Sequence, residues 1–132
     1  MLPVTGLYVG LLALGFVFLA SRVIKARRVY RVAIGTGQHR LVERAIRAHG
    51  NFAEYVPFAV ILLGLCEING LPGWALHGMG ITLLVGRTLH AHGIAEEAEV
   101  FRWRVLGTSL TLTMMIVAGA ASIGLAMAII GG

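Results

Sequence analysis

Charge is scarce in this sequence. Only 13% of its 132 residues are Asp, Glu, Lys or Arg, while 58% are hydrophobic. A soluble domain carries about 25% charged residues to keep an aqueous surface, so an ordinary soluble fold is excluded. Residues 1–21 and 105–132 contain no charge, and residues 68–86 contain only the neutral-capable His77. About 20 apolar residues cross the hydrocarbon core, which makes these three runs spans. A fourth, over 46–66, has Arg47, His49, Asn51 and Glu54 in its first turns. It must also cross, because Ile68 otherwise cannot emerge on the opposite side.

Other absences narrow the chemistry. Cys66 is the single cysteine, so an internal disulfide is impossible, and a lone cysteine in an apolar helix is usually packing. It sits at the wrong membrane face to join a Cys-His pair, and no Ser-His-Asp set can be assembled. His90 and His92 stand two apart, on different sides of a helix, with no carboxylate or thiol at the next turn. No metal site is expected there. The Gly35-Thr36-Gly37 turn lacks the strand, helix and Gly-Lys-Ser/Thr ending of a phosphate loop. The first apolar run has no basic leader before it and its charges follow it, the mark of a retained helix rather than a cleaved signal.

What remains reads as one domain, residues 1–132, an all-α membrane protein built as a four-transmembrane-helix bundle. The spacing predicts helices over about 3–22, 40–69, 74–93 and 102–130. Gly6 and Gly10 have the spacing that lets helices approach closely in a membrane. Pro57 falls inside helix 2, where membrane helices tolerate it. The run Asn69-Gly70-Leu71-Pro72-Gly73 is a tight turn before Trp74, a plausible interface anchor, and helix 4 is rich in glycine and alanine, suited to packing on helices or subunits.

Basic residues are one-sided. Arg22, Lys25, Arg27, Arg28, Arg31, Arg40, Arg44 and Arg47 lie in or beside the first connector, and Arg87, Arg102 and Arg104 flank the second. The positive-inside rule then puts both connectors in the cytoplasm and both termini on the other side. The net charge of +5 is explained as a topology signal, with anionic lipid contact as an addition. No nucleic acid is needed.

Ionisable groups inside spans are costly, about 2.5–3.5 kcal/mol each near the centre on insertion scales, so they need partners or a task. Arg47, Asn51 and Glu54 stand at i, i+4 and i+7 on one stripe of helix 2, which Arg40 and Arg44 extend toward the cytoplasm. Glu54 lies about 10 Å deeper than Arg47. Helix 3 supplies Arg87 and His90 on one face, and helix 4 supplies Arg104 and Thr108. Together they form a polar pocket in the cytoplasmic half with excess positive charge, suited to an anion. Two bland alternatives stand beside it: Arg47 and Arg104 snorkelling to head groups, and Glu54 with Arg87 as a structural pair. Snorkelling explains arginine at a helix end but not Asn51 and Glu54 continuing inward.

The run from Glu43 to Phe58, with Arg47-Ala48-His49-Gly50-Asn51-Phe52-Ala53-Glu54-Tyr55-Val56-Pro57 at its centre, resembles the helix 2 signature of the MAPEG family. These are the membrane-associated proteins of eicosanoid and glutathione metabolism. Val85-Gly86-Arg87-Thr88-Leu89-His90 is similar to that family's helix 3 block, and Arg104-x-x-Gly107 resembles its helix 4 start. The resemblance implies a homotrimer with glutathione, as co-substrate, bound between subunits near the cytoplasmic side. It implies that Arg47, Asn51 and Glu54, with His49 nearby, hold the peptide's polar groups, and that Arg87 and His90 complete the cradle. Arg104 is implied to stabilise the thiolate, with Arg102 as the other arginine in range. The expected function is conjugation of lipophilic electrophiles or peroxide reduction in a membrane, a bacterial inner membrane rather than an endoplasmic reticulum. The alternative is a non-catalytic member of the same fold holding a lipid head group or another anion. A transporter subunit is disfavoured because the outer half has no polar path. Two positions depart from the pattern: Gly50 stands where some glutathione-using members have a large polar residue, and Ile94 where some have tyrosine.

Overall fold

The computed structural model describes residues 1–95 and 100–132, all as four helices and their connections. They are α1 (Pro3–Tyr30), α2 (Arg40–Ile68), α3 (Gly73–Ala95) and α4 (Phe101–Gly131). Glu96, Glu97 and Glu99 of the expected second connector lie outside the described residues. Three helices, α1, α2 and α4, are long and apolar enough to cross a membrane. Of the four expected spans α3 is the one that length and composition do not mark among the described residues, since its 23 residues include Arg87 and three histidines (His77, His90, His92).

Helix α1 runs two turns beyond the predicted end at Arg22. Lysine and arginine are good helix formers, so the basic segment continues the helix until Arg31 takes the left-handed conformation at its C-cap. At 28 residues α1 is about 42 Å long, more than the roughly 30 Å hydrocarbon core. Its last turns therefore stand clear of the apolar layer. Gly35 (φ 73°) and Gly37 (φ 56°) then reverse the chain into α2, as the glycine pair predicts.

Helices α2 and α3 form the centre, each touching all the others, while α1 and α4 flank them without meeting. The core is apolar and layered: Leu12 and Leu19 from α1, Phe52 and Leu63 from α2, Leu83 from α3, Met114 and Ala118 from α4. Pro57 sits inside an unbroken α2. The closest approach is between α3 and α4. A Cβ on Gly107 would lie 2.5 Å from the Gly86 carbonyl oxygen and from the His90 nitrogen. Only glycine permits that seam. Gly6 and Gly10 meet nothing within 4 Å, so their face is not used inside the chain.

At the end of the bundle bearing the chain termini, α1 is tied down by polar contacts the sequence did not advertise. The Glu67 carboxylate, from the last turn of α2, accepts the Val4 amide at 2.9 Å and the Thr5 amide at 2.7 Å. Helix N-termini carry unpaired N–H groups and partial positive charge, and Leu2 at the N-cap has no side-chain oxygen to offer. One turn on, the buried Tyr8 hydroxyl lies 3.0 Å from His77 Nδ1 and donates to the His77 carbonyl at 3.2 Å. Its ring lies against Gly80, where any side chain would collide with it. His77 is therefore a hydrogen-bonded anchor for α1.

Candidate functional site

The opposite, connector end of the bundle holds the buried charge. Arg87 is 2% exposed, the largest fully buried side chain of the described residues. Its position on α3 faces α2 and α4, and the fork is shared between them. Nε donates to Thr111 Oγ1 at 2.9 Å, Nη1 to Asn51 Oδ1 at 2.7 Å, and Nη2 makes a long 3.5 Å contact to the Gly107 carbonyl. The guanidinium also stands 5.3 Å from the centre of the Tyr55 ring, within cation–π range. All these partners are neutral. The alternative Glu54–Arg87 pair is not made: Asn51, one turn before, takes the guanidinium, and Glu54 lies on the exposed face of α2.

The α2 stripe thus divides by depth. Asn51 is half-buried and turned to Arg87; Arg47 and Glu54 are exposed and remain open to a partner outside the chain. Arg44, which extends the stripe toward the connectors, is buried and donates to the Ile94 carbonyl at 3.3 Å. Ile94 itself is core, 7% exposed, so the position where some family members have tyrosine is packed with hydrocarbon. Gly50 is half-buried, and a Cβ added there would meet nothing within 4 Å, so a larger residue would fit.

Helix α3 also buries His90 (4% exposed), within electrostatic reach of Arg87 and Arg104. Arg104 is half-buried where α4 begins, its backbone pressed against Gly93, whereas Arg102 is exposed. That difference favours Arg104 as the helix 4 arginine of the site. Thr108 does not join it: its hydroxyl turns back to the Arg104 carbonyl at 3.0 Å. Thr111, almost one turn further along α4, is the threonine that holds Arg87. His49 is also apart from the cluster. It faces α1, its ring 4.5 Å from that of Phe16, with Nε2 buried and unpaired.

Arg87, Asn51, His90 and Arg104 are therefore brought together, with Arg47 and Glu54 beside them on the open face. Tyr55 and Thr111 were missed by sequence reasoning. Tyr55 had a signal, since it stands four residues after Asn51 on the same stripe. Thr111 had a weaker one, four residues after the seam glycine Gly107. No His, Cys, Asp or Glu grouping among the described residues could hold a metal ion.

The MAPEG family model matches residues 5–124, which takes in every residue of this cluster. The chain belongs to the MAPEG family. It is 41% identical over 118 residues to the inner membrane protein YecN of Escherichia coli strain K12, covering 87% of this chain and 88% of that relative. The protein of the same name from Escherichia coli O6:H1 strain CFT073 matches equally. The MAPEG match is carried through all four helices, so the α2 stripe, the α3 arginine and the α4 start lie within one continuous family domain rather than in isolated motifs.

Proposed function

We propose that this MAPEG protein is a glutathione-dependent enzyme of a bacterial inner membrane, conjugating lipophilic electrophiles or reducing lipophilic peroxides. The observation that carries the reading is Arg87, a buried cation held entirely by neutral partners. A charge inside a bundle needs compensation, and an anion arriving from outside supplies it. In this reading α3 crosses with the other three helices, both connectors face the cytoplasm, and three copies assemble as a homotrimer. A neighbouring copy covers the exposed Arg47 and Glu54. The inner-membrane relative supports the location.

The donor set fits glutathione, which has two carboxylates, an ammonium and a thiol. Arg47 offers a guanidinium fork for a carboxylate, Glu54 a counter-charge for the ammonium, and Asn51 an amide already oriented by Arg87. His49 would reach the ligand only from a neighbouring copy, since within the chain it faces α1. Glutathione supplies the nucleophilic sulfur. A thiol of pKa about 8.5 is mostly protonated at neutral pH, and a nearby guanidinium favours the thiolate; Arg104 takes that role, with His90 and Arg87 behind it. Removing Arg104 should abolish the thiolate without abolishing binding. The test is ultraviolet difference spectroscopy: glutathione mixed with the wild-type protein gives a thiolate band, and with Arg104→Ala it gives none. Identical spectra for the two proteins would contradict the assignment.

A second reading has one observation in its favour. Three of Arg87's N–H groups already have acceptors within the chain, as in a structural cation that stabilises a binding protein for lipid head groups or other anions. That protein would retain anionic lipid that glutathione cannot displace, whereas the enzyme would bind glutathione saturably.

A further inference from the structure

A cleft separate from the Arg47–Glu54 face runs along the other side of α1. Its outer part, about 520 Å³, lies between the basic end of α1 and the start of α2, with Arg22, Lys25 and Tyr30 opposite Leu41, Ala45 and Ala48. Its inner part, about 300 Å³, lies between α1 and α3 over Phe52, walled by Leu12, Gly15 and Leu84. The two parts share Phe18, Leu19 and Arg22, so they adjoin along α1. The fold explains the shape. At the terminal end α1 is clamped to α3 through Tyr8, Gly80 and His77, and toward the connectors, where no such tie exists among the described residues, the channel opens between them.

The chemistry changes along its length. Arg22 and Lys25 stand exposed at the mouth, one turn apart on α1, with no carboxylate bonded to either among the described residues. Below them the walls are mainly hydrocarbon, with Arg87, Thr88 and His92 on the α3 side. From Arg22 down to Leu11, at the inner end, is about 16 Å along the helix at 1.5 Å per residue. That equals about half the roughly 30 Å hydrocarbon core, the depth of one leaflet. A basic mouth above a mainly apolar cleft about one leaflet deep is complementary to an anionic membrane lipid.

We propose that this cleft is an intrachain site for an anionic phospholipid, its head group on Arg22 and Lys25 and one acyl chain lying between α1 and α3 against Phe52. The lipid fills a cleft that passes Arg87 and Thr88, so it braces the back of the arginine cluster without touching the stripe that faces outward. The site touches the arginine cluster only at Arg87 and is tested apart from the glutathione reading, since neither Arg47 nor Glu54 lines it.

The full-length protein is reconstituted with equal amounts of phosphatidylglycerol and phosphatidylcholine, extracted in mild detergent, and its retained lipid counted by native mass spectrometry. One phosphatidylglycerol per chain is expected. A basic residue at the surface contributes about a fivefold preference for anionic lipid, or roughly 25-fold for the pair. The double variant Arg22→Gln/Lys25→Gln should bring that preference close to parity, while Arg22→Lys keeps it. Gly15→Leu plugs the channel with both charges in place; a Cβ there meets only the Phe52 ring at an ordinary 3.6 Å, and retention should disappear. Each variant is compared with the wild type for thermal midpoint and assembled mass. Equal retention of phosphatidylcholine, retention of free fatty acid instead, or an unchanged preference in the double variant overturns the proposal. So does the absence of any retained lipid, the result expected if a neighbouring copy covers the cleft. Arg47→Ala should lose glutathione binding and keep its lipid, which separates failure of one site from failure of the other.

Discussion

Arg87 shows how much a buried charge depends on partners from distant parts of the chain. Its acceptors come from α2, 36 positions away, and from α4, 24 positions away. Hydrogen bonds between membrane helices contribute about 0.6–2 kcal/mol each, more when one partner is charged. Thr111→Val, which keeps shape and removes the acceptor, should therefore lower stability by about 1–2 kcal/mol. Thr111→Ser should restore most of it; thermal unfolding in detergent reads both. An unchanged midpoint for Thr111→Val would mean that Arg87 is not held as described. The stripe of Arg47, Asn51 and Glu54 was readable because the helical period alone defines it. Its division into one inward and two outward residues was not, because that depends on how α2 is rotated against α3. The same rotation on α4 decides between Thr108 and Thr111, which no spacing rule can do.

At the scale of elements, contact between helices rests on a few positions. Gly107→Ala puts a methyl group against the backbone of α3, and α3 and α4 must separate to admit it. Overpacking of this kind costs about 1–3 kcal/mol, and the shift also moves Arg104 relative to His90. Gly6→Ala faces open space and should change the unfolding midpoint little, within about 0.5 kcal/mol. At the other end of the bundle, Glu67→Gln weakens the clamp on the first amides of α1. A carboxylate at a helix N-terminus contributes about 0.3–1 kcal/mol, up to ~2 when partly buried. Loss of about 1 kcal/mol is expected, with faster hydrogen exchange at Val4 and Thr5. Exchange rates equal to wild type would contradict the clamp. The positions of the helices were readable from the uncharged runs. The length of α1 was less so, because apolar length marks the span while arginine and lysine continue the helix past it. The Glu67 clamp was hidden for another reason: Glu67 and Thr5 lie 62 positions apart, and nothing in the local sequence of either points to the other.

For the whole molecule, the surface is the informative part. The flanks expose large apolar side chains, among them Leu14, Ile116 and Ile123, which lipid or neighbouring copies must cover. A homotrimer should appear in native mass spectra at three times the 14.1 kDa chain mass, and a monomer under the mildest detergent would contradict the proposed assembly. Charge asymmetry gives the molecule its direction. In the proposed orientation most of the arginines mark the cytoplasmic side, while Arg87 and Arg104 lie with Asn51 near one end of the bundle and Arg47 and Glu54 stand beside them on the open face. The most direct test of that convergence as a glutathione site is equilibrium binding of glutathione to the purified protein in nanodiscs, alongside Arg47→Ala and Glu54→Gln. Saturable binding to the wild type, weakened about tenfold or more in each variant by loss of a charge-assisted hydrogen bond, is the predicted result. Absence of saturable binding to the wild type, or equal affinity in all three proteins, would contradict it.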